Sequence, residues 1–138
     1  MLEVSMCKAK DIMFKKVVSV KADTPIYDAI KAIVKDNLSG LPVVNEDMTI
    51  AGIISEKDML RLLYNFQVAR GEIPTSATVE NYMTSNVVTV DQEESLTRVC
   101  NCLMDNQFRR VPVLSEGKLV GVISRADIMR YILELIEP

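Results

Sequence analysis

Shifted against itself by 70 residues, the chain lays Met13 on Met83, Val17-Val18 on Val87-Val88, Val20 on Val90 and Pro42-Val43 on Pro112-Val113. Glu46 falls on Glu116. One residue is then lost, and Gly52 meets Gly121, Ile54 meets Ile123, Ser55 meets Ser124, Asp58 meets Asp127 and Arg61 meets Arg130. Self-similarity held in one register with a single gap constrains the fold more than any one segment can, because whatever one copy builds the other builds too. A copy of roughly 55 residues has only a thin core of its own, so the two are expected to pack on each other.

Each copy carries the same order of local signals. A short β run comes first, VVSV in copy one and VVTV in copy two. Thr24-Pro25 reads as an N-cap followed by proline at the first helical position. Ile26, Ala29, Ile30, Ile33 and Val34 then recur on one helical face, as do Leu96, Val99, Cys100, Leu103 and Met104. Two further β runs follow, LPVV and IAGII, then VPVL and LVGVI, joined by the polar turns NEDMT and SEGK. Ser55 and Ser124 each open a second helix. The order per copy is β-α-β-β-α, which makes the chain mixed α/β (α+β) with a pseudo-twofold pair of repeats. The copies are expected at residues 10–66 and 79–136, with a linker at 67–78 where Gly71 stops the helix and Pro74 prevents its restart.

Composition narrows the chemistry. There is no histidine, which removes Ser-His-Asp and Cys-His catalysis and every histidine metal site. Neither a Gly-rich phosphate loop nor a metal-ligand cluster is visible, so no catalytic residue and no metal site is assigned. Net charge is −3 and no basic cluster exceeds a pair, a poor match for nucleic acid. The three cysteines, Cys7, Cys100 and Cys102, suit a reducing compartment better than a disulfide scaffold. No apolar run approaches the ~20 residues of a membrane span, and the opening MLEVSMCKAKD lacks the apolar core of a secretory signal. A cytoplasmic protein without membrane insertion is expected.

The second helices are apolar over more of their circumference than one buried face requires. Met59, Leu60, Leu62, Leu63 and Phe66 ring the first; Ile128, Met129, Tyr131, Ile132, Leu135 and Ile136 ring the other. Homodimerisation through these helices is the expectation.

The tandem β-α-β-β-α unit, with its LPVV-type strand and its GIISEKD and GVISRAD turns, resembles the cystathionine β-synthase (CBS) domain pair, or Bateman module, from about Lys10 to Leu133. The resemblance implies a regulatory module rather than an enzyme. Such pairs bind adenosine-containing ligands in clefts between their copies and control enzymes, channels or transporters, often as dimers. No cofactor is required; the expected ligand is AMP, ADP or ATP, with S-adenosylmethionine as an alternative.

Carried over residue by residue, the resemblance places Asp58 and Asp127 on ribose hydroxyls, with Ser55 and Ser124 near ribose or phosphate. Thr24 and Ala29, in TPIYDAI, would border the nucleoside, and the backbone of Leu38-Ser39-Gly40 would read the adenine edge. Copy two departs from this wall, with Glu94 for Thr24 and Val99 for Ala29. It has Arg109-Arg110 where copy one has Ser39-Gly40, and in phosphate-binding relatives basic residues here hold phosphates. Two permanently charged, bidentate side chains suit that task; they also suit a solvated surface pair near Glu116. S-x-x-D ahead of an apolar helix is in any case a capping box worth about 1 kcal/mol without a ligand. The two roles can coexist. A dimerising interaction module that uses its boxes only as caps is the competing reading.

Overall fold

The computed structural model describes residues 6–69, 76–105 and 109–137, with side chains described to Asn65 in the first stretch. In chain order the elements are α1 (Ala9–Ile12), β1 (Val20–Lys21), α2 (Ile26–Lys35), β2 (Gly40–Val44), β3 (Ile50–Ser55) and α3 (Glu56–Ala69). A single 3-10 turn at Val79–Asn81 precedes β4 (Val90–Asp91), α4 (Leu96–Asp105), β5 (Arg110–Ser115), β6 (Lys118–Ser124) and α5 (Arg125–Ile136). The mixed α/β class and the β-α-β-β-α order are present in both copies. Gly71 and Pro74 lie outside the described residues.

Both copies build a three-stranded sheet in which the middle strand pairs parallel with the first and antiparallel with the third. Each first strand is only a residue pair, shorter than the VVSV and VVTV runs suggest, because only Val20-Lys21 and Val90-Asp91 meet the central strand. Both central strands carry an irregularity at the same place, between Val43 and Val44 and between Val113 and Leu114. The residue lost between copies falls in the hairpin turns. Copy two turns between Ser115 and Lys118 on Glu116 and Gly117, both at positive φ (52° and 79°), the backbone a two-residue hairpin demands. Copy one uses a longer loop closed by Asn45 N donating to Thr49 O at 2.8 Å.

The first helices bury a narrower stripe than expected. Ile26, Ala29 and Ile33 are buried and Ile30 half-buried, but Val34 is exposed. In α4 Leu96, Val99, Cys102 and Leu103 are buried, Cys100 is half-buried, and Met104 is exposed. At ~100° per residue, Val34 and Met104 swing off the face that meets the sheet, and in α4 the buried stripe extends instead to Cys102 on its opposite flank. The Thr24 cap is also corrected. α2 begins after Pro25, whose carbonyl accepts from Asp28 N, while Thr24 Oγ1 closes the preceding turn by accepting from Lys21 N at 2.9 Å. In copy two the cap is Ser95, whose Oγ accepts from Arg98 N at 3.3 Å.

Two compact units result, Val18–Val87 and Met1–Val17 with Val88–Pro138. Each holds one copy's sheet and the segment that precedes the other copy's first strand. In the first-copy unit, Ile26 N donates to Ala77 O, Val79 N to Thr24 O and Glu80 N to Ala22 O, and Thr84 exchanges both backbone bonds with Ile53. The second-copy unit repeats the pattern: Leu96 N to Cys7 O, Ala9 N to Glu94 O, Lys10 N to Gln92 O, and Phe14 with Val122. Val79 and Ala9 are fully buried in the respective cores. The duplicated glycines permit this docking. A Cβ on Gly52 would lie 2.6 Å from Thr84 O, and one on Gly121 2.6 Å from Met13 Sδ.

Candidate functional site

The duplicated serine and aspartate stand where a third strand runs directly into a helix. In the second-copy unit Ser124 is the N-cap of α5: its Oγ accepts from Asp127 N at 3.2 Å, and Asp127 Oδ2 accepts from Ser124 N at 2.8 Å. In the first-copy unit Asp58 N donates to Ser55 Oγ at 3.3 Å, and Ser55 N to Asp58 Oδ2 at 2.8 Å. Both turns are closed capping boxes. In each, the arginine three residues on folds back to the aspartate, Arg61 to Asp58 and Arg130 to Asp127.

The other candidates separate by unit. Thr24, Ala29, Leu38, Ser39, Ser55 and Asp58 lie in the first-copy unit; Arg109, Arg110, Ser124 and Asp127 lie in the second. Ala29 is wholly buried among Ile26, Ile33, Leu41, Val43 and Ile54, so it shapes the packing of α2 on the sheet. Leu38 packs half-buried on the same core after Asn37 (φ 52°) ends the helix, and its N–H donates to Ile33 O at 2.9 Å. Ser39 and Arg109 are equivalent in the backbone: Ser39 O accepts from Glu56 N at 3.0 Å and Arg109 O from Arg125 N at 3.2 Å. Strand entry and helix start are thereby tied together in both copies.

Arg110 opens β5 opposite Ser124. Arg109 is exposed and Arg110 half-exposed, and neither side chain forms an ion pair or hydrogen bond with the described residues. Arg125 is occupied differently, its guanidinium donating to Leu103 O at the end of α4 (3.2 Å). Arg109 and Arg110, without a side-chain partner among the described residues, stand at the strand end whose backbone pairs with Ser124, and a guanidinium group so placed suits an anion.

Sequence reasoning missed Thr84. Its Oγ1 reaches Asp58 Oδ1 at 3.4 Å, across 26 positions of chain. No local spacing announces such a contact, although the alignment of Met13 with Met83 marks the docked segments themselves.

Among the described residues no helix is long and apolar enough to cross a membrane, and no group of three Cys, Asp or Glu side chains is gathered as a metal site.

The CBS domain family matches the chain twice, at residues 9–65 and 79–134. A protein of Methanocaldococcus jannaschii is 31% identical over 89% of this chain, which spans 42% of that relative. Hypoxic response protein 1 of Mycobacterium tuberculosis is 30% identical over 94% of the chain and 87% of its own length. Mitochondrial CBSX3 of Arabidopsis thaliana is 32% identical over 80% of the chain, which spans about half (53%) of that protein. Among solved structures, CBSX2 in complex with AMP superposes with a TM-score of 0.82 at 28% identity, covering 94% of this chain and 98% of that one. The CBS pair of MJ0100 with 5-methylthioadenosine and S-adenosyl-L-methionine gives 0.74 at 27%, covering 92% and 96%.

Proposed function

The chain belongs to the CBS domain family, and from that premise we propose that it is a regulatory module that senses an adenosine-containing ligand of the AMP, ADP or ATP class. The carrying observation is the pairing of a duplicated Ser-x-x-Asp turn with Arg109 and Arg110, which have no side-chain partner among the described residues, at the strand end paired with one copy of it. A carboxylate at a helix start accepts from adjacent hydroxyls, and paired guanidinium groups hold phosphate oxygens. The AMP held by CBSX2 supports this reading.

Asp58, Asp127, Ser55 and Ser124 are proposed for ribose and its neighbours, Arg109 and Arg110 for phosphate, and Thr24, Leu38 and Ser39 for the nucleoside wall, which the wholly buried Ala29 supports from the core rather than lines. The S-adenosyl-L-methionine bound with 5-methylthioadenosine to MJ0100 favours a second reading, in which the ligand is S-adenosylmethionine and the arginines stay solvated.

The module acts by binding rather than catalysis. We place it in the cytoplasm as a homodimer joined through α3 and α5, acting on an effector enzyme or transporter rather than on nucleic acid. Exposed Leu60, Leu63, Met129, Ile132 and Ile136 support that contact.

A thermal-shift panel of AMP, ADP, ATP, adenosine and S-adenosylmethionine tests the assignment. A ligand at 100 times its Kd adds about 2.7 kcal/mol of stability, so at least one nucleotide should raise the Tm by several degrees. An unchanged Tm with all five at millimolar concentration would refute the sensor and leave the interaction module.

A further inference from the structure

The two Ser-x-x-Asp turns share a backbone but not a state of occupation. Asp58 has a side chain only 3% exposed and receives four hydrogen bonds: Ser55 N and Ser55 Oγ on Oδ2, Arg61 and Thr84 Oγ1 on Oδ1. A carboxylate offers about four acceptor positions, so Asp58 has none to spare. Asp127 is 16% exposed and receives two among the described residues, from Ser124 N and from Arg130 at 2.8 Å. Ser55 Oγ donates its proton to Asp58 at 2.9 Å, whereas Ser124 Oγ has no acceptor among the described residues.

The docked segments account for part of the difference. Phe14 exchanges backbone hydrogen bonds with Val122 just as Thr84 does with Ile53, so it holds in the second-copy unit the ladder position that Thr84 holds in the first. A phenyl ring donates nothing to the aspartate, and this one is 54% exposed.

We propose that Asp127, with Ser124, is the half-site that takes the ligand's hydroxyls, while Asp58 is a structural carboxylate closed off by Ser55, Arg61 and Thr84. The assignment rests on the ligand-sensing reading above. It narrows the ribose assignment above from both aspartates to Asp127 alone, and it reverses the preference that TPIYDAI suggests, since the nucleoside-like wall is in copy one but the open carboxylate is in copy two, the copy that carries Arg109 and Arg110.

The test is calorimetric titration of the full chain with ATP, AMP and S-adenosylmethionine. Wild type should bind about one equivalent. Asp127→Asn, which still accepts from Ser124 N but loses the charge, should weaken binding about tenfold or more. Phe14→Thr, which installs the hydroxyl found at Thr84, should also weaken it, and Thr84→Val should leave Kd within about twofold. If Thr84→Val tightens binding while Asp127→Asn and Phe14→Thr do nothing, Asp58 is the acceptor and the assignment is overturned. If all three variants match wild type, neither aspartate holds the ligand and it is equally overturned. A wild type that binds none of the three probes refutes the sensor reading itself, an outcome separate from either of these.

Discussion

Glu93 shows what single side chains contribute to the docked segments. It lies beside the turn into α4 and pairs with Lys8 at 2.7 Å and Lys10 at 2.8 Å, both from the segment before β1. Hydrogen bonds from Lys10 and Lys8 pull its carboxyl down to about 2, and Lys10 is raised by the same contact. A carboxyl whose folded value is depressed stabilises the fold above its unfolded value and ceases to do so as pH falls through the folded one. The window is therefore from the ordinary 4.5 down to about 2. The three side chains are nearly half exposed, so salt screens them and the effect is small. Protection of the Ala9 and Lys10 amides, bonded to Glu94 O and Gln92 O, should fall in wild type as pH drops through this window. Glu93→Gln should lower that protection at neutral pH and remove its acid dependence. Equal amide exchange in both proteins, followed by NMR, would show that the lysine pair does not hold the segment. At this scale the sequence was partly legible. The boxes were readable because both partners lie within one turn of chain, whereas Thr84 reaches Asp58, and Glu93 the lysines, only after distant segments have docked.

At the scale of elements, the β-α-β-β-α order followed from periodicity and turn residues, and the register change fell in the hairpin turns as the lost residue required. The errors were of circumference and length: Val34 and Met104 read as core because apolar character does not report which way a helix faces its sheet. The second helices pose the reverse case. α5 has no buried residue, and Met129, Ile132, Leu133 and Ile136 are all exposed, an arrangement a lone soluble helix rarely keeps. A second copy meeting α3 and α5 would cover these side chains. Light scattering should then give twice the 15.5 kDa chain mass, and Ile132→Asp, a charge placed at an apolar contact, should give the single mass with its Tm above room temperature. Wild type at 15.5 kDa at micromolar concentration would contradict the dimer.

For the whole molecule, duplication made the fold readable and then left the copies free to diverge. Both keep the cap, the arginine clasp and the strand-to-helix tie; they differ where a ligand would distinguish them, at Thr84 against Phe14 and at Ser39-Gly40 against Arg109-Arg110. Capping accounts for each box as a helix start, but it does not account for two arginines without a side-chain partner among the described residues at the strand end paired with one of them. Titration calorimetry of wild type and the Arg109→Ala/Arg110→Ala double variant with AMP, ADP, ATP and adenosine tests this most directly. Wild type should bind at least one of the three nucleotides, the double variant should lose about tenfold or more for that nucleotide, and adenosine affinity should change little. Equal losses for nucleotide and adenosine, or no binding of AMP, ADP or ATP by wild type, would contradict it.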